Sequence, residues 1–271
     1  MAKRVISAFV GLIILGIILV FYNTIVLNIA IALIAVIATY ELLLATNYLD
    51  NKLISAVSLL FVATVPFLQT RFLANNIGAV MFAFIAALFL IMILHSESVR
   101  IEQVGLVFMV STLIPFSLST LILIRDASPK HAVFLLLLTM AGAWIGDTGA
   151  FFVGSFLGKN KLAPKISPNK TIEGLIGGVL STSIFFIIMG LIYMRLNSDI
   201  NLNLIPLAIL GGVCTLFGVM GDLSASIIKR QCNIKDFGSI MPGHGGVLDR
   251  FDSILFVAPL MYITLRVSQV I

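Results

Sequence analysis

The sequence predicts an all-α, polytopic integral membrane protein with about nine transmembrane helices. Of its 271 residues, 60% are hydrophobic and 11% are charged, whereas a soluble domain usually has about 25% charged residues. Long apolar runs follow one another along the chain, and two stretches of the C-terminal half are rich in charged and polar residues. Together these observations indicate that most of the chain is solvated by lipid.

The predicted helices are nine apolar runs, because about 20 apolar residues in a helix cross the hydrocarbon core of a bilayer. They lie at residues 5–22, 25–45, 53–70, 77–94, 104–124, 132–153, 173–194, 204–229 and 252–270. The first run follows Lys3 and Arg4, as a signal peptide would. It is long for that role and no Ala-x-Ala cleavage site follows it, so we expect a retained helix.

The distribution of Lys and Arg predicts the orientation. With the N-terminus inside, 12 of the 17 basic residues fall on the inner side, and the others are Arg71, Arg125, Lys130, Arg195 and Arg266. Basic residues mark the cytoplasmic loops of membrane proteins, so the net charge of +5 does not indicate a nucleic-acid partner. We predict a cytoplasmic N-terminus, an external C-terminus and two cytoplasmic polar loops.

Two regions are predicted along the chain. Residues 1–130 form a scaffold of five spans, and residues 131–271 form a catalytic region of four spans with both polar loops. Glu41, near the inner end of the second span, either extends to the membrane interface or joins a site. Cys214 and Cys232 have no metal-binding spacing. If one helix joins them they are roughly 20 Å or more apart, so we expect free thiols.

The sixth span combines small residues with an acid. Asp147 lies in an apolar run, where a charged residue at the bilayer centre costs ~2.5–3.5 kcal/mol on insertion scales. A cation, a partner or water should offset this cost, and pairing with a lysine of the next loop is the alternative. Small residues recur every four positions and predict a face that another helix approaches closely: Gly142, Gly146, Ala150, Gly154 and Gly158.

The first polar loop, residues 158–174, has the composition of a phosphate-binding segment. It holds four lysines in twelve residues, and two prolines stiffen it beyond what a membrane anchor needs. Thr171 and Glu173 could equally cap and charge the start of the seventh helix. The candidate contacts for CTP phosphates or a lipid head group are Lys165, Ser167, Asn169, Lys170, Thr171 and Glu173.

The eighth span brings a second acid to a similar depth. Asp222 lies ~10 Å below Lys229 by helical rise, and Ser226, a further candidate substrate contact, lies between them. Residues spaced by three or four form a narrow polar face on this helix: Gly211, Cys214, Gly218, Asp222 and Ser226.

The acids are the predicted metal ligands. Carboxylates suit a hard cation such as Mg²⁺, and Asp222 and Asp249 are the first choices. Asp147 and Asp252 are further candidates, for the same ion or a second cation, although Asp252 could instead cap the last helix. All of these acids fall at or just below one membrane interface, which indicates a pocket open to the cytoplasm.

The second polar loop adds cations and flexible backbone suited to a phosphate chain. The glycines at 245 and 246 let backbone N–H groups approach an anion closely. His244 is expected to contact phosphate or support the loop, and no Ser-His-Asp or Cys-His arrangement indicates acyl transfer. The catalytic candidates beside Asp222 and Asp249 are Lys229, Arg230, Lys235, Asp236, His244 and Arg250, with Gly245 and Gly246 as substrate contacts.

These motifs resemble those of the phosphatidate cytidylyltransferases, also called CDP-diacylglycerol synthases. The longer one is highly specific and reads Ser226-x-Ile228-Lys229-Arg230, four residues, Lys235-Asp236-x-Gly238, then Pro242-x-His244-Gly245-Gly246-x-x-Asp249-Arg250-x-Asp252. The segment Lys161 to Gly174 is similar to the other stretch that this family shares. The resemblance covers about the last half of the chain, and Met241, where the pattern usually has Leu, Ile or Phe, touches only packing.

The resemblance implies that CTP and phosphatidate react to give CDP-diacylglycerol and pyrophosphate. It also implies Mg²⁺ dependence, a site facing the cytoplasm in the inner membrane, and a homodimer. The residues are compatible with this chemistry, because a phosphate monoester is already an anionic nucleophile and only charge repulsion must be overcome.

Two other functions remain as alternatives. A cation or phosphate transporter would explain acids within the membrane, but the acids lie on one side and no inverted repeat is visible. A CTP-dependent enzyme acting on a different lipid phosphate or alcohol would use the same groups.

Overall fold

The structure, a computed structural model, describes residues 2–49, 51–68, 76–241, 243 and 245–267. Its helices are α1 (Ala2–Val20), α2 (Ile25–Ala45), α3 (Lys52–Thr64), α4 (Ile77–Leu94), α5 (Ile101–Ala127), α6 (Ala132–Leu157), α7 (Ile172–Leu196), α8 (Leu204–Gln231), α9 (Leu248–Phe251) and α10 (Ile254–Val267). Its strands are β1 (Lys161–Ala163) and β2 (Ser167–Thr171).

The structure confirms that the chain is mostly helical and has several helices long enough to cross a membrane, but it does not confirm the count of nine. Within the described ranges, six helices are long and apolar enough to cross a membrane: α2, α4, α5, α6, α7 and α8. The apolar stretches Phe9–Val20 and Lys52–Phe67 are shorter. Large apolar side chains remain exposed on the helices, as Phe82 (72%) and Phe156 (83%) illustrate, which suits helices that face lipid.

The final apolar run does not start as one continuous helix. A single turn, α9, ends at Phe251, and α10 begins at Ile254. Between them Asp252 Oδ1 accepts the N–H of Ser253 at 2.7 Å, a local bond that competes with the helical pattern. Asp249 and Asp252 therefore lie in a one-turn helix and the turn after it, rather than at the start of one long helix.

The all-α prediction is wrong for one segment, because the first polar loop contains a β-hairpin. β1 pairs with β2 in antiparallel fashion, with Lys161 opposite Thr171 and Ala163 opposite Ser167. Pro164 lies in the turn between the strands. Pro168 is tolerated in β2 because, among the described residues, the sheet has two strands and both are edge strands. The charged and proline-rich composition hid these strands, since it lacks an alternating apolar pattern.

The described chain divides into two compact units. The first comprises Met1–Leu123 with Cys232–Arg250, and the second comprises Ile124–Gln231 with Phe251–Ile271. The predicted division of function at residue 130 stays a prediction. Both cysteines are free thiols, as expected.

The first unit has an apolar core formed by α2, α3, α4 and α5. Leu43, Ile54, Phe61, Leu88 and Val107 are among its buried residues. Side-chain caps begin two of these helices, since Thr24 accepts the N–H of Val26 and Asn51 accepts those of Leu53 and Ile54.

The second unit packs its helices through small residues, as predicted for the sixth span. A Cβ added at Gly142 would lie 3.0 Å from the Cβ of Cys214 in α8, and one at Gly146 would lie 2.8 Å from Thr215 Oγ1. A Cβ at Gly154 would lie 2.8 Å from Thr171 Oγ1. The small face of α6 thus brings α7 and α8 close to its backbone.

Candidate active site

The second unit contains a cavity of about 560 Å³, a size typical of ligand pockets. It opens between α6, the hairpin, α7 and α8. Its lining combines acids, lysines and hydroxyl groups with an apolar wall: Asp147, Ala150, Phe151, Gly154, Ser155, Gly158, Lys161, Leu162, Ser167, Asn169, Lys170, Thr171, Gly174, Leu175, Val219, Asp222 and Ser226.

Asp222 forms an ion pair with Lys170 in this cavity. The carboxylate of Asp222 comes from α8 and the ammonium of Lys170 from β2, and each side chain is only about a quarter exposed, at 26% and 24%. Asp147 lines the same cavity from α6. The sequence offered a lysine of this loop as a possible partner of Asp147, whereas the structure pairs Lys170 of the loop with Asp222.

Several predicted substrate contacts line the cavity, although their contact with substrate stays a prediction. These are Ser167, Asn169, Lys170, Thr171 and Ser226. Lys165 lies exposed in the hairpin turn, and neither it nor Glu173 is among the lining residues. Ser155 was missed, although it follows Asp147 by eight residues and therefore lies on the same helical face.

Thr171 and Glu173 shape the first polar loop. Thr171 Oγ1 accepts the N–H of Gly174 at 3.1 Å, so the predicted capping of the seventh helix is confirmed for Thr171. Glu173 accepts the backbone N–H of Lys159 at 3.1 Å and the side-chain amide of Asn160 at 2.8 Å. The carboxylate thereby joins the end of α6 to the start of α7 through residues 159 and 160.

Charged groups also gather where α8 faces the start of α10. Asp252 is 8% exposed and lies within electrostatic reach of Asp222, Lys229 and Asp147. Its backbone carbonyl packs against Gly221, where a Cβ would lie 2.5 Å from it. Lys229 and the exposed Arg230 occupy the last turn of α8, where cations also interact favourably with the helix dipole.

The second polar loop, in the first unit, is built around Asp249. The Oδ2 atom of Asp249 accepts the N–H of Phe237 at 2.8 Å and that of Gly246 at 3.0 Å, and the residue is 8% exposed. Gly243 and Gly245 have φ of 80° and 85°, which favours glycine. The N–H of Gly246, predicted to approach an anion, is thus already donated to Asp249.

The other residues of this loop that were predicted to be catalytic are either exposed or outside the described part of the chain. Lys235, Asp236 and Arg250 are exposed. His244 lies outside the described residues, so its predicted catalytic role stays a prediction.

Glu41 joins this loop instead of extending to the interface. The side chain is 2% exposed, and its two oxygens accept the N–H groups of Val247 and Leu248 at 3.0 and 2.9 Å. Of the two possibilities that the sequence left open, extension to the interface is wrong, because the side chain is buried against the second polar loop.

The acids of the cavity fit a magnesium ion by their chemistry. Mg²⁺ usually keeps several waters and takes one or two carboxylates together with substrate phosphates, and Asp147 and Asp222 supply two such groups to one cavity. The ammonium of Lys170 beside Asp222 shows that positive charge is favoured there. Within the described residues, no group of three or more His, Cys, Asp or Glu side chains is arranged as a metal site.

Comparisons with known proteins point in one direction. A family model described as "Cytidylyltransferase family" matches residues 2–268. The chain is 36% identical over 209 residues to a phosphatidate cytidylyltransferase of Bacillus subtilis (strain 168), which covers 76% of each protein. It is 45% identical over 139 residues to the one of Staphylococcus haemolyticus (strain JCSC1435), covering 51% of this chain and 52% of that relative.

Proposed function

This chain belongs to the cytidylyltransferase family, and we propose on that premise that it is a phosphatidate cytidylyltransferase. It transfers the cytidylyl group of CTP to phosphatidate and releases pyrophosphate, so that CDP-diacylglycerol is formed.

The observation that carries this proposal is the composition of the cavity in the second unit. An anionic phosphate chain needs cations and hydrogen-bond donors, and Lys161, Lys170, Ser167 and Asn169 supply both. The acids Asp147 and Asp222 in the same cavity suit the divalent ion that accompanies a nucleoside triphosphate. Such a mixture of acids and lysines in a largely apolar chain has no role in crossing a bilayer.

The reaction needs charge neutralisation more than proton transfer. An oxygen of the lipid phosphate forms a bond to the α-phosphorus of CTP while the bond from that phosphorus to the bridging oxygen of the β-phosphate breaks, and pyrophosphate leaves. The nucleophile is already anionic at neutral pH, because the second pKa of a phosphate monoester is about 6. The lysines of the cavity reduce the repulsion between the two anions and hold them for in-line attack.

Lys170 can pair with either of two negative groups, the carboxylate of Asp222 or a phosphate of the substrate. It holds Asp222 in this structure, and an incoming phosphate oxygen would compete with Asp222 for the same ammonium. Thr171, buried at the cap of α7, fixes the end of the strand that carries Lys170.

Magnesium is the proposed cofactor, and when bound it would neutralise phosphate charge and align the attack. Asp222 and Asp249 remain the ligands proposed from the sequence, with Asp147 and Asp252 as further candidates for the same or a second cation. Lys229, Arg230, Lys235 and Arg250 are the proposed phosphate-neutralising residues outside the cavity lining.

The finer membrane arrangement belongs to this proposal. The chain crosses the cell inner membrane nine times, with the N-terminus and both polar loops in the cytoplasm and the C-terminus outside. CTP enters from the cytoplasm, phosphatidate enters from the surrounding lipid, and the protein acts as a homodimer. The excess of Lys and Arg on the inner side supports this orientation.

A direct assay tests the reaction. Purified protein in detergent micelles receives labelled CTP, Mg²⁺ and phosphatidate, and the lipid phase is analysed for labelled CDP-diacylglycerol. We expect product that requires all three additions. Competing diacylglycerol and lysophosphatidate in the same tube show whether another lipid is preferred, and folded protein that makes no CDP-lipid would contradict the proposal.

A further inference from the structure

The second polar loop is held by a carboxylate from a distant part of the chain. Glu41 lies in α2, 206 residues before Val247, and is 2% exposed. Its Oε1 accepts the N–H of Val247 at 3.0 Å and its Oε2 accepts that of Leu248 at 2.9 Å. Both oxygens are therefore engaged by the N–H groups of two consecutive residues, the one before α9 and the first residue of α9.

The loop encloses this carboxylate closely. A Cβ added at Gly246 would lie 2.5 Å from Glu41 Oε2, and one added at Gly238 would overlap Glu41 Oε1. Atoms do not approach this closely without displacement, so two glycines of the loop leave room for one side chain. The fit involves two separate parts of the loop, since Gly238 and Gly246 lie on either side of the hydrogen bond that the N–H of Met241 donates to the carbonyl of Gly245.

Glu41 and Asp249 hold neighbouring pieces of the same backbone. The N–H of Gly246 is donated to Asp249 Oδ2, and the N–H of the next residue, Val247, is donated to Glu41. Asp249 also accepts the N–H of Phe237. The backbone from which Asp249 projects is thus held between the two carboxylates, and a shift of one contact moves the other.

We propose that Glu41 is a positioning residue that fixes the backbone of residues 246–248 and thereby the placement of Asp249 and Arg250 for the reaction. Glu41 acts through the loop and touches no substrate. This inference rests on the proposed function, because it assigns Glu41 to the same reaction.

The first experiment replaces Glu41 by its amide. In Glu41→Gln one acceptor oxygen becomes an NH₂ group that faces a backbone N–H and cannot accept its hydrogen bond. We expect kcat to fall about 100-fold, the loss that a misplacement of about 1 Å causes, while KM for CTP changes little because the cavity in the second unit is untouched. The matched control is Glu97→Gln, an exposed acid in the turn after α4 of the same unit, which should keep wild-type kcat and KM.

The second experiment uses the close fit at Gly238. Gly238→Ala adds a methyl group where Glu41 Oε1 lies, and Glu41→Asp withdraws the carboxylate by one methylene. Each single variant should lower kcat, but the double variant should be several-fold more active than the product of the two effects predicts. Independent sites would instead multiply to within about twofold, and that result would overturn the inference.

A measurement without turnover separates this inference from the proposed function. Hydrogen–deuterium exchange of the peptide covering residues 245–250 should be slow in the wild type and in Glu97→Gln, and faster in Glu41→Gln. Wild-type protein with a protected peptide but no CDP-lipid product would reject the proposed function and, with it, any role of Glu41 in that reaction.

The kinetic outcomes are equally decisive. Wild-type kcat in a folded Glu41→Gln variant would overturn the inference, whether or not the loop exchanges faster. If Glu41→Gln fails to fold, the double-mutant cycle of Glu41→Asp and Gly238→Ala tests the inference instead. Coupling of the two effects on kcat supports it, and independent effects overturn it.

Discussion

The two polar loops differ in which charged side chains face a cavity. In the first loop the hairpin presents Lys170 to the cavity, where it pairs with Asp222, and Glu173 ties down residues 159 and 160 at the periphery. In the second loop the buried carboxylates of Glu41 and Asp249 are bound to backbone N–H groups. The first loop therefore directs two lysines, Lys161 and Lys170, at a ligand-sized space, whereas the two buried carboxylates at the second loop define its shape.

This difference predicts that substitutions at the cavity of the first loop lower the rate of the reaction, whereas substitutions of the carboxylates at the second loop lower both the rate and the stability of the protein. The predictions that follow test it, from the largest expected effect to the smallest.

Asp222→Asn should nearly abolish turnover, by about 1000-fold, the upper range for loss of one group that stabilises transition-state charge. The amide keeps the shape but loses the charge that pairs with Lys170 and that would hold a cation. The initial rate of CDP-diacylglycerol formation measures the loss, and the thermal midpoint should stay near that of the wild type. Asp199→Asn, in an exposed turn after α7, is the control; a normal rate in Asp222→Asn would remove this acid from the site.

Lys170→Ala should lower kcat/KM for CTP by about 100-fold, the lower range for such a group. It removes the ammonium that neutralises phosphate and leaves Asp222 without its partner. Lys170→Arg keeps the charge and should recover part of the rate. Lys165→Ala, in the exposed turn of the same hairpin, should have a much smaller effect, and equal losses in the two variants would indicate a general electrostatic contribution.

Asp249→Asn should lower activity about 100-fold, because it removes the charge of a proposed Mg²⁺ ligand, and it should also destabilise the protein. Hydrogen bonds to a charged group contribute ~1.5–3 kcal/mol each, and Asp249 Oδ2 accepts two. A lowered thermal midpoint in detergent, compared with that of Asp222→Asn, measures the difference between the loops. The contrast would fail if both variants had the same midpoint.

Glu173→Gln should reduce activity by no more than about fivefold, as expected for contacts exposed to solvent. Its partners, Lys159 and Asn160, lie at the outer edge of the loop, and the amide can still accept one of their hydrogen bonds. Steady-state rates at saturating CTP provide the measurement. A loss as large as that of Lys170→Ala would place Glu173 in the reaction itself.

The sequence predicted the parts of the site that stand out against an apolar background. Asp147 and Asp222 could be found because a carboxylate in a membrane helix is costly, and both line the cavity. The close packing of α6 could be found because glycine and alanine repeat with the helical period. Capping by Thr171 was one of two roles that its place before the seventh helix suggested, and the structure shows the cap.

Other features have no local signal in the sequence. The hairpin was missed because two short strands rich in proline and lysine, which pair with each other, lack the alternating apolar pattern of a buried strand. The contacts of Glu41 could not be foreseen because its partners are backbone N–H groups, which every residue except proline carries whatever its side chain. Only the fold decides which backbone reaches which carboxylate.

The discontinuous first unit has a consequence for how the protein is made. A ribosome adds about 5–20 residues per second, so the 206 residues between Glu41 and Val247 separate their synthesis by roughly 10–40 s. During that interval α2 has been synthesised, but the loop whose N–H groups bind Glu41 has not yet been translated. A nascent chain stopped at Gln231 would contain every residue that lines the cavity. It would still lack Cys232–Arg250, the segment that completes the first unit.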